Sequence, residues 1–100
     1  MVTPEGRIKK KIKTLLDEYE TKIYYYMPVP SGYGAATVDY LGCANGVFFG
    51  IEAKAPGGHP TPRQRAVLVQ IEMAGGRGFV IDSEAGVLML RTWLDEVMKL

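Results

Sequence analysis

Glu52-Ala53-Lys54 closes a run of apolar and aromatic residues, and Asp39 lies in the strand-like run before it. Alternate side chains of a strand share a face, so Glu52 and Lys54 project together and Ala53 points the other way. Val47, Phe49, Ile51 and Ala53 make the opposite face apolar. The strand therefore has a side to bury and a side ending in Glu-x-Lys. Two carboxylates brought close repel each other unless a cation lies between them. Mg²⁺ or Mn²⁺ is the expected occupant, because hard oxygen donors suit these ions and the chain has no His/Cys set for zinc. Asp39, Glu52 and the backbone carbonyl of Ala53 are the candidate ligands. A lysine beside such a metal orients or deprotonates water, or stabilises charge developing on a phosphate. The chemistry is metal-dependent hydrolysis of a phosphodiester. The competing reading is a surface Glu–Lys pair on an exposed strand, which the tripeptide alone does not exclude.

The elements that must position these residues are legible in outline. Asn45-Gly46 is a hairpin signal, within a turn read as Gly42 to Gly46, and it joins a strand over 37–41 to one over 47–54. Asp39 then falls opposite Gly50 or Ile51. One residue of slip decides whether it faces Glu52, and the sequence leaves that register open. An earlier strand, Ile23 to Met27, is stopped by Pro28 and Pro30, and Ser31-Gly32-Tyr33-Gly34 reads as a flexible loop. Thr3-Pro4 starts a helix running to about Tyr19, with Ile8, Ile12, Leu15, Leu16 and Tyr19 as its apolar stripe. Thr61-Pro62-Arg63-Gln64 is a capping box opening a helix that ends near Ala74, before Gly75-Gly76. Gly78 to Asp82 reads as a short buried strand. Ser83 caps the last helical segment, and Arg91 to Leu100 is amphipathic; Gly86 leaves the stretch between as either one broken helix or a turn and a helix. The order αβββαβα predicts an α/β fold, helices flanking a mixed sheet.

One hundred residues fit one domain, 1–100, and 47% hydrophobic with 23% charged residues marks a globular chain. No apolar run approaches a bilayer span, and the charged N-terminal segment lacks the apolar core of a signal peptide. A single cysteine, Cys43, forbids an internal disulfide and fits a reducing, cytoplasmic setting. The net charge of +1 does not advertise a nucleic-acid partner. Its distribution is more informative: Lys9, Lys10 and Lys13 share the first helix, and Arg63 and Arg65 open the second. These are candidate DNA contacts, together with His59 in the Gly/Pro-rich loop over 55–60. Ordinary solvated helix faces are the alternative. Gly57 and Gly58 permit close approach of backbone to a ligand, and the N-terminus of the Thr61 helix favours phosphate. Glu5 lies where the helix dipole favours an acid, and it also reaches the metal if that helix packs beside the hairpin.

Asp39, the run Ile51-Glu52-Ala53-Lys54-Ala55-Pro56-Gly57, and Thr61-Pro62-Arg63-Gln64 together resemble the VRR-NUC domain of the PD-(D/E)XK nuclease superfamily. The resemblance covers nearly the whole chain and implies a restriction-endonuclease-like core. It implies Asp39 and Glu52 as metal ligands, Lys54 as the catalytic lysine, Gln64 as a supporting residue from the second helix, and Glu5 as the first-helix acid. Ala55 departs from the pattern, where glycine is more usual. Short stand-alone members, often from phages, are homodimers able to act on branched DNA such as four-way (Holliday) junctions. A phage-type protein of this kind would work in the host cytoplasm. The implied activity is a Mg²⁺- or Mn²⁺-dependent endodeoxyribonuclease. A non-catalytic DNA-binding module retaining the nuclease fold is the alternative, and an unrelated α/β interaction domain is a third reading.

Overall fold

The computed structural model describes residues 2–29 and 37–100. In chain order these form α1 (Pro4–Asp17), a 3₁₀ turn (Glu20–Lys22), β1 (Ile23–Tyr26), β2 (Tyr40–Ala44), β3 (Val47–Ala53), α2 (Pro62–Met73), β4 (Arg77–Ile81) and α3 (Glu84–Val97). The strands make one sheet in the order β1-β2-β3-β4. Pairing is antiparallel from β1 through β3 and parallel between β3 and β4. The parallel pair needs a crossover, and α2 supplies it. This is an α/β fold with a mixed sheet flanked by helices, in the expected element order and compatible with a restriction-endonuclease-like core. Among the described residues, no helix is long and apolar enough to cross a membrane.

The core fills the face that α1 and α3 cover. Ile8, Ile12, Leu15 and Leu16 of α1 and Leu90, Leu94 and Val97 of α3 meet Tyr40, Phe49, Ile51 and Ala53 of the sheet. Trp93 joins them, edge-on to Phe49 at 6.1 Å and to Phe79 at 5.3 Å between ring centroids. The Trp93 helix therefore contributes to the core on one side, while Leu88 and Met89 stay exposed on the other. In β1 the pleat turns Ile23 and Tyr25 inward, whereas Tyr24 and Tyr26 stay exposed. On the opposite face α2 lies over β3 and β4, with Ile71 and Leu68 against Gly50.

Several boundaries differ from the sequence-based expectation. The β2–β3 turn is two residues long: Asn45 and Gly46 have φ of +47° and +89°, the paired positive values of a type I′ turn. Gly42 and Cys43 belong to β2 instead. A Cβ on Gly42 would lie 2.5 Å from the Tyr24 carbonyl oxygen and 2.7 Å from Phe49 Cζ, so its glycine answers to packing, not turning. Asn45 ties the turn to the rest of the fold, donating through Nδ2 to the Val97 carbonyl at 2.9 Å and through its N–H to the Lys22 carbonyl at 3.0 Å. α1 ends at Asp17; Tyr19, beyond it, still packs on the core and donates its hydroxyl to Asp95 at 2.7 Å. α3 is one unbroken helix capped by Ser83, and Gly86 sits where a Cβ would meet Ile81 Cγ2 at 3.1 Å. β4 is only partly buried, with Val80 exposed. Met27 lies past the end of β1, and Thr37 to Asp39 precede β2. Pro30 and the Ser31–Gly34 segment lie outside the described residues.

Gly42 and Gly50 make a test of this packing. Backbone blocks the Gly42 site, whereas the nearest atom to a Gly50 Cβ is the flexible tip of Ile71, at 2.6 Å. Overpacking a filled interior costs about 1–3 kcal/mol. Urea denaturation should therefore show Gly42→Ala losing about that much stability and Gly50→Ala losing less. Equal losses, or the reverse order, would contradict the assignment.

Candidate active site

The hairpin register resolves what the sequence left open. Tyr40 pairs with Ile51, so one step further sets Asp39 against Glu52. Asp39 donates its backbone N–H to Glu52 Oε1 at 3.2 Å, and the Ala53 N–H donates to Asp39 Oδ2 at 2.8 Å. Each carboxylate is thus fixed by the backbone of the opposite segment. Lys54 Nζ lies 3.1 Å from Glu52 Oε2. Its backbone N–H is held by the Ile81 carbonyl at 2.9 Å, so β4 positions the lysine although β3 ends one residue earlier.

Glu52 is 2% exposed, the sole buried charged residue among those described. Every residue of β3 from Phe49 to Ala53 is buried, so the Glu-x-Lys side is covered as well as the apolar one. This removes the reading of Glu52–Lys54 as surface decoration. Burial holds the Glu52 carboxyl above the usual carboxylate range, against the opposing pull of the Lys54 hydrogen bond. The nearby charge of Asp39 raises it further, while the Lys54 charge and the Asp39 N–H work downward. A buried acid beside a second acid adds little to a fold's stability, and such groups cluster at functional sites.

α1 brings a second pair of charges. Lys9 Nζ lies 3.4 Å from Asp39 Oδ1 and 3.5 Å from Glu5 Oε2. Burial works against its charge, but the two carboxylates outweigh burial and hold the ammonium above its ordinary value. The helix is pinned here by Tyr40, whose hydroxyl donates to the Lys9 carbonyl at 2.9 Å. Burial and the charge of Asp39 push the Tyr40 phenol up to about 12, so it stays a donor. Lys9, expected among the outward-facing DNA contacts, instead links Glu5 to Asp39. Half of that was readable, since Glu5 and Lys9 stand four apart on a helix; the Asp39 contact depends on how α1 crosses the sheet.

The other expected residues lie around this centre. Gln64 completes the capping box: its N–H donates to Thr61 Oγ1 at 3.1 Å, and its Oε1 accepts from the Thr61 N–H at 2.9 Å. Both of these bonds are those of a cap. Arg63 and Arg65 sit exposed in the first turn of α2, and His59 is exposed in the loop before it. That loop is anchored at Gly57, whose N–H donates to Asp82 Oδ2 at 3.3 Å. Lys13 is paired with Asp17 at 2.8 Å. Lys10 lines a groove of about 610 Å³ between α1 and α3, which the Lys11–Glu84 and Arg91–Glu18 pairs border and which includes none of Asp39, Glu52 and Lys54.

The donor chemistry fits a hard divalent cation. Mg²⁺ is commonly held by one or two carboxylates, with water and phosphate oxygens completing the shell, and Asp39 with Glu52 provides that minimum. Among the described residues, no three of His, Cys, Asp and Glu are grouped closely enough to hold a metal. Glu5 stands off, with the Lys9 ammonium between it and Asp39. Comparison with models of known protein families, and with curated proteins, gives no match.

The raised Glu52 carboxyl has a signed consequence. A group whose folded pKa lies above its ordinary 4.5 lends its protonated form stability at low pH, and that stability is lost as pH rises through the folded value. Glu52→Gln abolishes this titration. Its melting temperature relative to the parent should therefore climb from about pH 4 to about pH 7. A difference that stays flat or falls would contradict the desolvated environment described for Glu52.

Proposed function

We propose that this protein is a metal-dependent DNA endonuclease that hydrolyses phosphodiester bonds. The observation that carries the reading is Glu52, a buried acid hydrogen-bonded to the Asp39 backbone and ion-paired to Lys54. The resemblance to VRR-NUC domains supplies the class of reaction, and the element order is the one that family implies. Asp39 and Glu52 would hold Mg²⁺ or Mn²⁺, with the Ala53 carbonyl as a further ligand. When bound, the cation supplies Lewis-acid activation of water and neutralises phosphate charge. Lys54 holds its charge beside the scissile group and donates N–H to a non-bridging oxygen as negative charge builds there. The Asp39 N–H positions the Glu52 carboxylate, and the Ala53 N–H positions that of Asp39. Arg63, Arg65 and His59 lie on the loop and helix that follow the site and offer contacts to flanking phosphates. Gln64 serves this arrangement by starting α2 in the right place.

Branched DNA, four-way junctions included, is the proposed substrate class, and a homodimer the proposed form. Symmetric cuts need two sites related by a two-fold axis. Exposed Tyr24, Tyr26 and Met27 at the sheet's β1 edge offer apolar surface for a partner. The second reading, a DNA-binding module without catalysis, draws on one observation: Glu5, Asp39 and Glu52 all already have an ammonium neighbour.

Lys54→Ala separates the two. On flap, fork, four-way junction and linear duplex substrates, the parent should cut branched DNA and the variant should be slower by about 10²-fold or more, typical for loss of one transition-state donor. DNA binding should be retained. Undiminished cutting by Lys54→Ala would sink the mechanism; binding without cutting of any substrate by the parent would favour the module.

A further inference from the structure

Lys9 does something that neither helix capping nor DNA contact requires. Its ammonium occupies the gap between two carboxylates on different elements, Glu5 of α1 and Asp39 ahead of β2, at 3.5 Å and 3.4 Å. Asp39 Oδ2 is committed to the Ala53 N–H, so Oδ1 is the oxygen that Lys9 takes. Glu52 lies on the other side of Asp39 and has its own ammonium, Lys54. Glu5 thus meets Asp39 through a cation of the protein's own, in the place a metal shared by the two would take.

We infer that Lys9 is an internal counter-ion that competes with a divalent cation for Asp39 and keeps Glu5 out of the ligand set until it is displaced. The inference rests on the metal-dependent reading above and adds regulation to the same site. Three carboxylates and two ammoniums leave one net negative charge there. A divalent ion must either accept the like charge of Lys9 close by or drive it off. Like charges this close oppose each other, so the ammonium competes with the cation for Asp39. The lysine stem is flexible, and its charge is free to move to a phosphate oxygen once DNA is present. Displacement opens Glu5, one helical turn before Lys9 on the same face. A weak metal site in the resting protein would then tighten as substrate draws Lys9 away.

Mn²⁺ binding, followed by electron paramagnetic resonance of the free ion without DNA, tests this on the full chain. Lys9→Met keeps the stem and leaves the carbonyl that Tyr40 uses. It should bind Mn²⁺ about ten-fold more tightly than the parent. Lys10→Met, the same charge change one residue along, should stay within about two-fold of the parent. Adding Glu5→Gln to Lys9→Met should reverse most of the gain. Circular dichroism melts confirm that each variant is folded, and Lys9→Gln gives a second removal of the charge if Lys9→Met is not. Unchanged or weaker binding by the folded charge-removed variant overturns the role of Lys9 while leaving the metal reading intact. So does an equal gain from Lys10→Met. Failure of the parent and all variants to bind Mn²⁺ overturns the metal reading, and this inference with it.

Discussion

Asp39 and Glu52 exchange hydrogen bonds with backbone across the open end of the β2–β3 hairpin, the Asp39 N–H to one carboxylate and the Ala53 N–H to the other. Everything else in the site is arranged about that exchange. It sets the separation of the acids and fixes which oxygen of Asp39 is left for Lys9. It also continues the β2–β3 register beyond the last paired residues of the strands. The type I′ turn at Asn45-Gly46 sets the register from the other end, and a slip of one residue would turn every side chain of β3 to the wrong face. Two constraints separated by the length of the hairpin therefore have to agree for the acids to meet.

Burial makes the arrangement costly in the absence of a cation. Glu52 is desolvated by its surroundings and repelled by Asp39, and the protein answers with Lys54 on one side and Lys9 on the other. An ion pair out of water seldom repays the desolvation of its members. The Glu52–Lys54 pair is thus hard to account for as stabilising structure. On the proposed function, that pair belongs to a site that meets a charged ligand. Burial, and after it the charge of Asp39, keeps Tyr40 protonated, and its hydroxyl holds α1 in place.

Features governed by neighbours in the chain were legible from the sequence. Thr3-Pro4, Thr61 with Gln64, and Asn45-Gly46 each carry their reason within a few residues, and each lies where expected. Gly42 was misread as part of a turn because its reason is tertiary, the Tyr24 carbonyl and the Phe49 ring pressing on it. The burial of Glu52 was not legible, because alternation along a strand says nothing of what later folds over that end. Gly86 looked like a break, yet it only lets α3 approach β4. In the site, Asp39, Glu52 and Lys54 come together as read, whereas Lys9 changed from a prospective DNA contact to a link between Glu5 and Asp39. Helix spacing gave its Glu5 half; no local signal gives the other.

If Asp39 and Glu52 are arranged for a divalent cation that acts on DNA, both the cation and Asp39 must be indispensable. The most direct test is cleavage of a four-way junction by the purified protein in Mg²⁺, in Mn²⁺ and in excess chelator, beside Asp39→Asn prepared identically. The expected result is cutting with either metal, none with chelator, and little or none by the variant under any condition. Cutting that persists in chelator, or that Asp39→Asn performs as well as the parent, would contradict it.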